Sequence, residues 1–278
     1  MTSAAGDQQR AMLPEKELQA AVLPGSALWT QLTVVPSTGS TNADLLVAAK
    51  NGAEAGTVLV AEEQTQGRGR LDRSWQSLPG AALTFSMLLR PTAVPPASRG
   101  WLPLLTGVAV AAAIRAECSV DVSLKWPNDV MSGSGAPGHT GKLAGILAEQ
   151  AGAAVVVGIG LNVSQSRDEL PSDLATSLRL QGAGRIDRPT LLAAVLRAFE
   201  HWYLRWTSGA APGDADRSGL RPQYLRLCAT VGRDVRVELP GGSVMAGRAS
   251  DVDSIGRLLV DGEDGVHAVS AGDVIHVR

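Results

Sequence analysis

At 278 residues, 45% of them hydrophobic and 19% charged, the chain is long enough to bury one large core and a small second one, and its 31 glycines mark a loop-rich globular protein. Twenty-five Lys and Arg against 27 Asp and Glu leave a formal net charge of −2, which offers no cationic footprint for a phosphate backbone and argues against DNA as a partner. Two widely separated cysteines, Cys118 and Cys228, without a CxxC or Cys/His cluster, argue against a disulfide framework and a thiolate metal site and fit a reducing, cytoplasmic setting.

Residues 1–25 are polar and Ala-rich with Pro14 and Pro24, and read as a flexible leader lacking the basic start and apolar stretch of a signal peptide. Residues 32–35 read as a strand and 41–50 as a short helix closed by Gly52. Residues 57–62 (TVLVAE) form a buried strand, and QTQGRGRLDRSWQS after it has no apolar period, so it is a loop. Residues 82–89 return to strand. Residues 101–117 are apolar all round a helical wheel, as in a core helix, and the run 102–114 is too short for the roughly 20 residues that a bilayer requires.

Residues 122–125 predict a strand ending in WPND, followed by a flexible insert, MSGSGAPGHTG. Residues 142–150 and 153–160 predict a hairpin turning over Ala151 and Gly152. An amphipathic helix follows over 190–206 with Pro189 at its start, then a polar loop over 208–219. From residue 229 the pattern changes to five short strands at 231–239, 243–252, 257–260, 266–270 and 274–277, which suggests a small barrel.

Five segments carry chemistry. In Gly67-Arg68-Gly69-Arg70-Leu71-Asp72-Arg73-Ser74-Trp75, three arginines set among glycines let the backbone approach a ligand while guanidinium forks hold an anion; the alternative is a solvated basic loop. It is neither a P-loop nor a dinucleotide fingerprint, since GxxxxGK[ST] and GxGxxG are absent. Lys125-Trp126-Pro127-Asn128-Asp129 gathers an ammonium, an indole, an amide and a carboxylate at a strand end, where an Asx turn is the plainer reading. Gly141-Lys142 opens an apolar strand, a place from which a cation can meet developing charge. Ser40-Thr41-Asn42 precedes a helix, and Thr41 with Asp44 makes a plausible cap. Gly158-Ile159-Gly160-Leu161-Asn162 ends a buried strand with two glycines and an amide.

Taken in order, STN, EEQTQGRGRLDRSW, KWPNDV, GKLAGILAE and GIGLNV resemble the motif series of biotin protein ligases, over about residues 34–163 and more weakly through the C-terminal strands. The resemblance implies an α/β (α+β) catalytic domain over 26–228, built on a mixed central sheet flanked by helices, and a small C-terminal SH3-like β-barrel over 229–278. It implies that ATP activates biotin as biotinyl-5′-AMP, and that biotin then passes to a lysine of the biotin carboxyl carrier domain of an acyl-CoA or pyruvate carboxylase. Ser40, Thr41 and Gln64 then match positions that bind the biotin ureido ring, with Asn42 beside them or supporting the loop. Arg68, Gly69 and Arg70 match the biotin- and phosphate-binding loop, and Lys142 the lysine between carboxylate and α-phosphate. Lys125, Asn128 and Asp129 match the nucleotide and Mg²⁺ side, Asn162 lies near ribose or adenine, and Trp75 packs on a ligand ring, biotin or adenine. The loop over 67–75 is expected to be poorly ordered without ligand, because a reactive anhydride requires a site that closes.

About thirty residues precede the first core strand, too few for the helix-turn-helix domain of family members that double as repressors. A ligand sensor and a lipoate-attaching enzyme are the competing readings. A sensor has no need of Lys142 at the reacting atoms, and the GRGRLDRSW loop favours biotin over lipoate. His139, His201, His267 and His276 carry no metal-ligand spacing and none sits in a motif, so the proton acceptor of the transfer step and the oligomeric state stay open.

Overall fold

The computed structural model describes residues 10–70, 73–76, 78–133, 141–239 and 242–277. Two strands without an exposed position make its centre: β3 (Ala82–Leu89) and β7 (Ala154–Asn162) are buried along their whole length. Around them a seven-stranded sheet runs in the order β1-β2-β3-β7-β6-β5-β4, with β1 (Gln31–Thr38), β2 (Thr57–Gln64), β4 (Val122–Lys125), β5 (Asp129–Ser132) and β6 (Lys142–Ala151). Only β1 and β2 pair parallel, so the sheet is mixed, as the resemblance implies.

The two faces differ. Phe85, Met87, Val157, Ile159, Leu161 and Ile146 pack with α3 (Trp101–Cys118) and α4 (Arg188–Thr207) into the main core. With the 3₁₀ turn before it, α3 makes a 23-residue segment, Pro96–Cys118, long and apolar enough by composition to cross a membrane, longer than the run read from sequence. Its most apolar stretch is 72% buried inside the protein. The other face carries small side chains, and α2 (Thr41–Lys50) covers only one end of it through Leu45 and Ala49.

Residues 10–25 are not a free leader. They include α1 (Glu15–Val22), whose Leu18 and Val22 are buried in the main core. Glu15 accepts the Val34 amide at 2.7 Å and Gln19 donates to the Leu32 carbonyl at 2.9 Å, so α1 satisfies the open edge of β1. Residues 1–9 of the expected leader and 134–140 of the expected insert lie outside the described residues. The rest of the insert is not loose either: β5 pairs with both β4 and β6. A fifth helix, α5 (Leu220–Leu227), follows the polar loop and buries Leu220, Tyr224 and Leu227.

The last strands are β8 (Asp234–Glu238), β9 (Val244–Val252), β10 (Leu258–Gly262), β11 (Gly265–Val269) and β12 (Asp273–His276). They form an antiparallel five-stranded sheet in the order β11-β10-β9-β8-β12. Two indoles fasten it to the larger unit. Trp101 and Trp126 donate to the carbonyls of Ser254 (2.9 Å) and Gly256 (3.1 Å) in the β9–β10 turn.

Candidate active site

The small-residue face is a trough. Across it, Thr84 opposes Gly160, which opposes Gly145; Ser86 opposes Gly158, which opposes Leu147. The glycines are required by their neighbours. A Cβ on Gly160 would lie 2.1 Å from the Trp75 indole, and one on Gly158 would lie 2.1 Å from Asn42 Oδ1. Trp75 therefore lies in the trough, against Gly145 and Gly160, with its indole N–H buried and unpartnered.

At the α2 end, Ser40 is the N-cap, accepting the Ala43 amide at 3.4 Å. The cap is thus one residue earlier than the Thr41–Asp44 pairing expected, and it frees Thr41. The Thr41 amide and hydroxyl both donate to Gln64 Oε1, at 2.8 and 3.0 Å, while its hydroxyl also meets Ser86 at 2.7 Å. Among the described residues, Asn42 meets the arginine loop only through Glu149, which also takes Arg68. It donates to the Leu147 carbonyl (3.2 Å) and to Glu149 (2.8 Å), and accepts from Ser86 (2.6 Å), tying α2 to β3 and β6.

Residues 67–70 and 73–75 form the two arms of a narrow flap; Leu71 and Asp72, which also belong to the loop expected to be poorly ordered without ligand, lie outside the described residues. The Gly69 amide donates to the Arg73 carbonyl at 2.6 Å and the Trp75 amide to the Gly67 carbonyl at 2.8 Å. Gly67 has no space for a side chain, since a Cβ would sit 2.3 Å from the Trp75 carbonyl oxygen. From this flap, Arg68 reaches Glu149 at 3.4 Å. Arg70 donates to Asn128 Oδ1 and to the Gly272 carbonyl, both at 3.3 Å.

At the other end, Lys142 pairs with Asp129 at 2.6 Å. By simple alternation Lys142 would point away from Gly145. The β5–β6 register slips by one residue, with Val130 opposite Ala144 but Met131 opposite Lys142, and this bulge turns the ammonium onto the trough face. Its Cε stands 3.2 Å from where a Gly145 Cβ would be. The backbone of Lys142 is clamped as well, its amide donating to the Leu174 carbonyl (2.7 Å) and its carbonyl accepting from Thr176 (2.9 Å).

Asn128 and Asp129 lie in one turn, so Arg70 and Lys142 converge there. Asn128 also donates to the Ile146 carbonyl at 2.9 Å, which pins the turn to β6. Two further expected site residues already have protein neighbours. Asn162 is buried at the trough end, but its amide is committed to the Thr176 carbonyl (2.9 Å) and to Gln165 (3.0 Å). Lys125 stands beside His276 of β12, and nearby Trp126 is buried under the C-terminal sheet. Sequence reasoning missed Glu149 as the partner of Arg68 and Asn42, although it lies inside a motif that was read. It also missed Gly272, which no local pattern connects to Arg70.

The electrostatics point to an anion. Burial lowers the Arg70 pKa from its ordinary value, opposed at a distance by Asp129 and Asp273, and among the described residues both hydrogen-bond partners of its guanidinium are neutral oxygens. A partly desolvated cation without a direct counter-ion gains most when a ligand supplies the negative charge.

Residues 34–165 match the biotin/lipoate A/B protein ligase family, and residues 230–277 match the biotin protein ligase C terminal domain. A biotin--[acetyl-CoA-carboxylase] ligase of Mycobacterium tuberculosis is 42% identical over 276 residues, 98% of each chain. The chain belongs to the biotin protein ligase family. A bifunctional ligase/repressor of Bacillus spizizenii is 32% identical over 87% of this chain and 71% of its own length. A biotin protein ligase from Aquifex aeolicus, solved in complex with biotin and ATP, superposes with a TM-score of 0.71 at 28% identity, covering 90% of this chain and 100% of that one. Membership in this family agrees with the motif series and with the mixed sheet followed by a C-terminal antiparallel sheet.

Proposed function

We propose that this ligase activates biotin with ATP to biotinyl-5′-AMP and transfers the biotinyl group to a lysine of the biotin carboxyl carrier domain of a carboxylase. One observation carries the reading: Lys142 and the half-buried Arg70, whose hydrogen-bond partners among the described residues are neutral oxygens, meet at one turn beside a glycine-floored trough.

A biotin carboxylate oxygen attacking the α-phosphate brings two anions together, and fixed cations lower that barrier. Lys142 stands between carboxylate and α-phosphate, with Arg68 and Arg70 on the flap side. Ser40, Thr41 and Gln64 bind the ureido ring, Asn42 braces them, and the Gly69 backbone lets the flap approach. The bond to pyrophosphate breaks as the acyl-phosphate bond forms, and Trp75 covers the product. Asn128 and Asn162 hold the walls on the nucleotide side, and Lys125 adds positive charge behind the turn. In the second step the carrier amine attacks the acyl carbon and AMP leaves.

An ion held chiefly by ATP oxygens needs as little as one protein carboxylate. Asp129, whose buried Oδ1 takes no hydrogen bond beyond its ion pair with Lys142, is the carboxylate that would hold Mg²⁺. The ion would shield the departing pyrophosphate. DNA and membranes have no part in this reading, and its setting is the cytoplasm.

Exchange of labelled pyrophosphate into ATP tests it. Exchange is expected with biotin and none with lipoate or without an acid. Exchange that prefers lipoate, or none with biotin, would overturn the assignment.

A further inference from the structure

We propose that Asp273, at the start of β12, is a positioning residue for adenylate formation and retention: it holds the two arms of the arginine flap, at Arg70 and Arg73, against the C-terminal sheet. The inference deepens the functional reading above and rests on it. Two contacts carry it, one from each arm of the flap. Arg70 donates to the Gly272 carbonyl at 3.3 Å, and Arg73 forms an ion pair and hydrogen bond with the Asp273 carboxylate. The flap is thereby held in two places, at its base by Trp75 on Gly145 and Gly160, and at Arg70 and Arg73 by residues some two hundred positions later in the chain.

The C-terminal anchor is itself fixed. Asp273 pairs with Glu238 of β8, and a Cβ on Gly272 would stand 2.7 Å from Val237, so the turn entering β12 is tightly packed. Hydrogen bonds from Trp101 and Trp126 lock the same sheet to the larger unit. Asp273 therefore does more than pair with an exposed guanidinium. It places Arg73 so that Arg70, three residues before it, faces Asn128 beside Lys142. The Arg73 side chain is 63% exposed and that of Asp273 is 27% exposed, so the ion pair is weak and salt-sensitive, as suits a flap that opens once per turnover.

The test follows release of pre-formed labelled biotinyl-adenylate from the intact enzyme, without carrier, for wild type, D273N, R73Q and the double variant. Hydrogen exchange at the Gly69 and Trp75 amides is read in parallel, on the same proteins without ligand. Each single variant is expected to release adenylate roughly two- to fivefold faster, the range open to a partly exposed ion pair. Flap exchange should quicken, the double variant should be no worse than either single, D273E should recover most of the loss, and added salt should bring wild type toward the variants. Unchanged release, or losses that add in the double variant, would overturn the proposal. A wild type that forms no adenylate defeats the functional reading instead; exchange at Gly69 and Trp75 still decides whether Asp273 holds the flap, and exchange equal to wild type in D273N overturns that.

Discussion

Lys142 illustrates how much of the site one side chain can carry. Its ammonium faces the trough because of a one-residue bulge, and it is the partner of Asp129 at 2.6 Å. In Lys142→Met the cation is lost while the stem still packs over Gly145, so pyrophosphate exchange is expected to fall by about two to three orders of magnitude, the loss typical of removing one oxyanion-stabilising group. The fold should survive, with stability lowered by only the roughly 1–3 kcal/mol attached to a carboxylate left unpaired. Exchange rates near wild type would refute the role given to Lys142. At this scale the sequence was informative where chemistry is local: Arg68, Arg70 and Lys142 announce themselves as cations flanked by glycines. It was silent where a partner is distant. Neither the bond of Arg70 to Gly272 nor that of Asn42 to Glu149 leaves any trace in local spacing.

Strands and helices were legible in proportion to their apolar content. The buried β3 and the core helix α3 follow the runs read from sequence closely, because burial on all sides writes itself as an unbroken apolar stretch. The helix α1 was missed because its two buried residues, Leu18 and Val22, make a face only against β1 and α4. The four-residue β5 was missed because it alternates inside a polar segment and is stabilised by neighbours on both sides. A buried ion pair shows what these elements share. Arg188, at the start of α4, bonds Glu62 of β2 at 2.8 Å, the Ala82 carbonyl of β3 at 3.0 Å and the Ala11 carbonyl, while Glu62 also accepts the Leu13 amide. Arg188→Met would leave Glu62 charged with its side chain 3% exposed, which should cost about 3–5 kcal/mol. That corresponds to a fall of roughly 6–20 °C in melting temperature for a protein of this size. Replacing Glu62 by Leu in the same protein should recover much of the loss, since the unpaired charge, rather than the missing contact, is the larger penalty. If the double variant melts below Arg188→Met, the pair contributes attraction beyond its desolvation.

The end of β12 is one of the places where the C-terminal sheet meets the larger unit, and acid is expected to loosen them there. Trp126 donates its amide to Thr230 Oγ1 at 3.0 Å, so the Thr230 hydroxyl is free to donate to His276 Nε2, 3.1 Å away. A ring nitrogen that accepts a hydrogen bond is unprotonated. Burial, then Lys125, then Arg233, act in the same sense and push the His276 pKa from 6.5 down to about 4. Because the folded value is below the unfolded one, the unfolded chain binds more protons between these limits. The contribution is therefore complete above about pH 6.5 and is lost progressively as pH falls toward about 4. His276→Gln keeps an acceptor for Thr230 but cannot take up a proton. Urea midpoints measured from about pH 7.5 to 4.5 should fall more steeply for wild type than for this variant, while carboxylates common to both cancel in the difference. Parallel curves would mean that His276 titrates as it does in the unfolded chain. Since β12 carries Asp273 at its start and His276 at its end, protonation at one end should also speed flap exchange at the other. The whole-molecule prediction is accordingly that hydrogen exchange at the Gly69 and Trp75 amides, corrected for intrinsic rate, rises toward acid in wild type and stays level in His276→Gln.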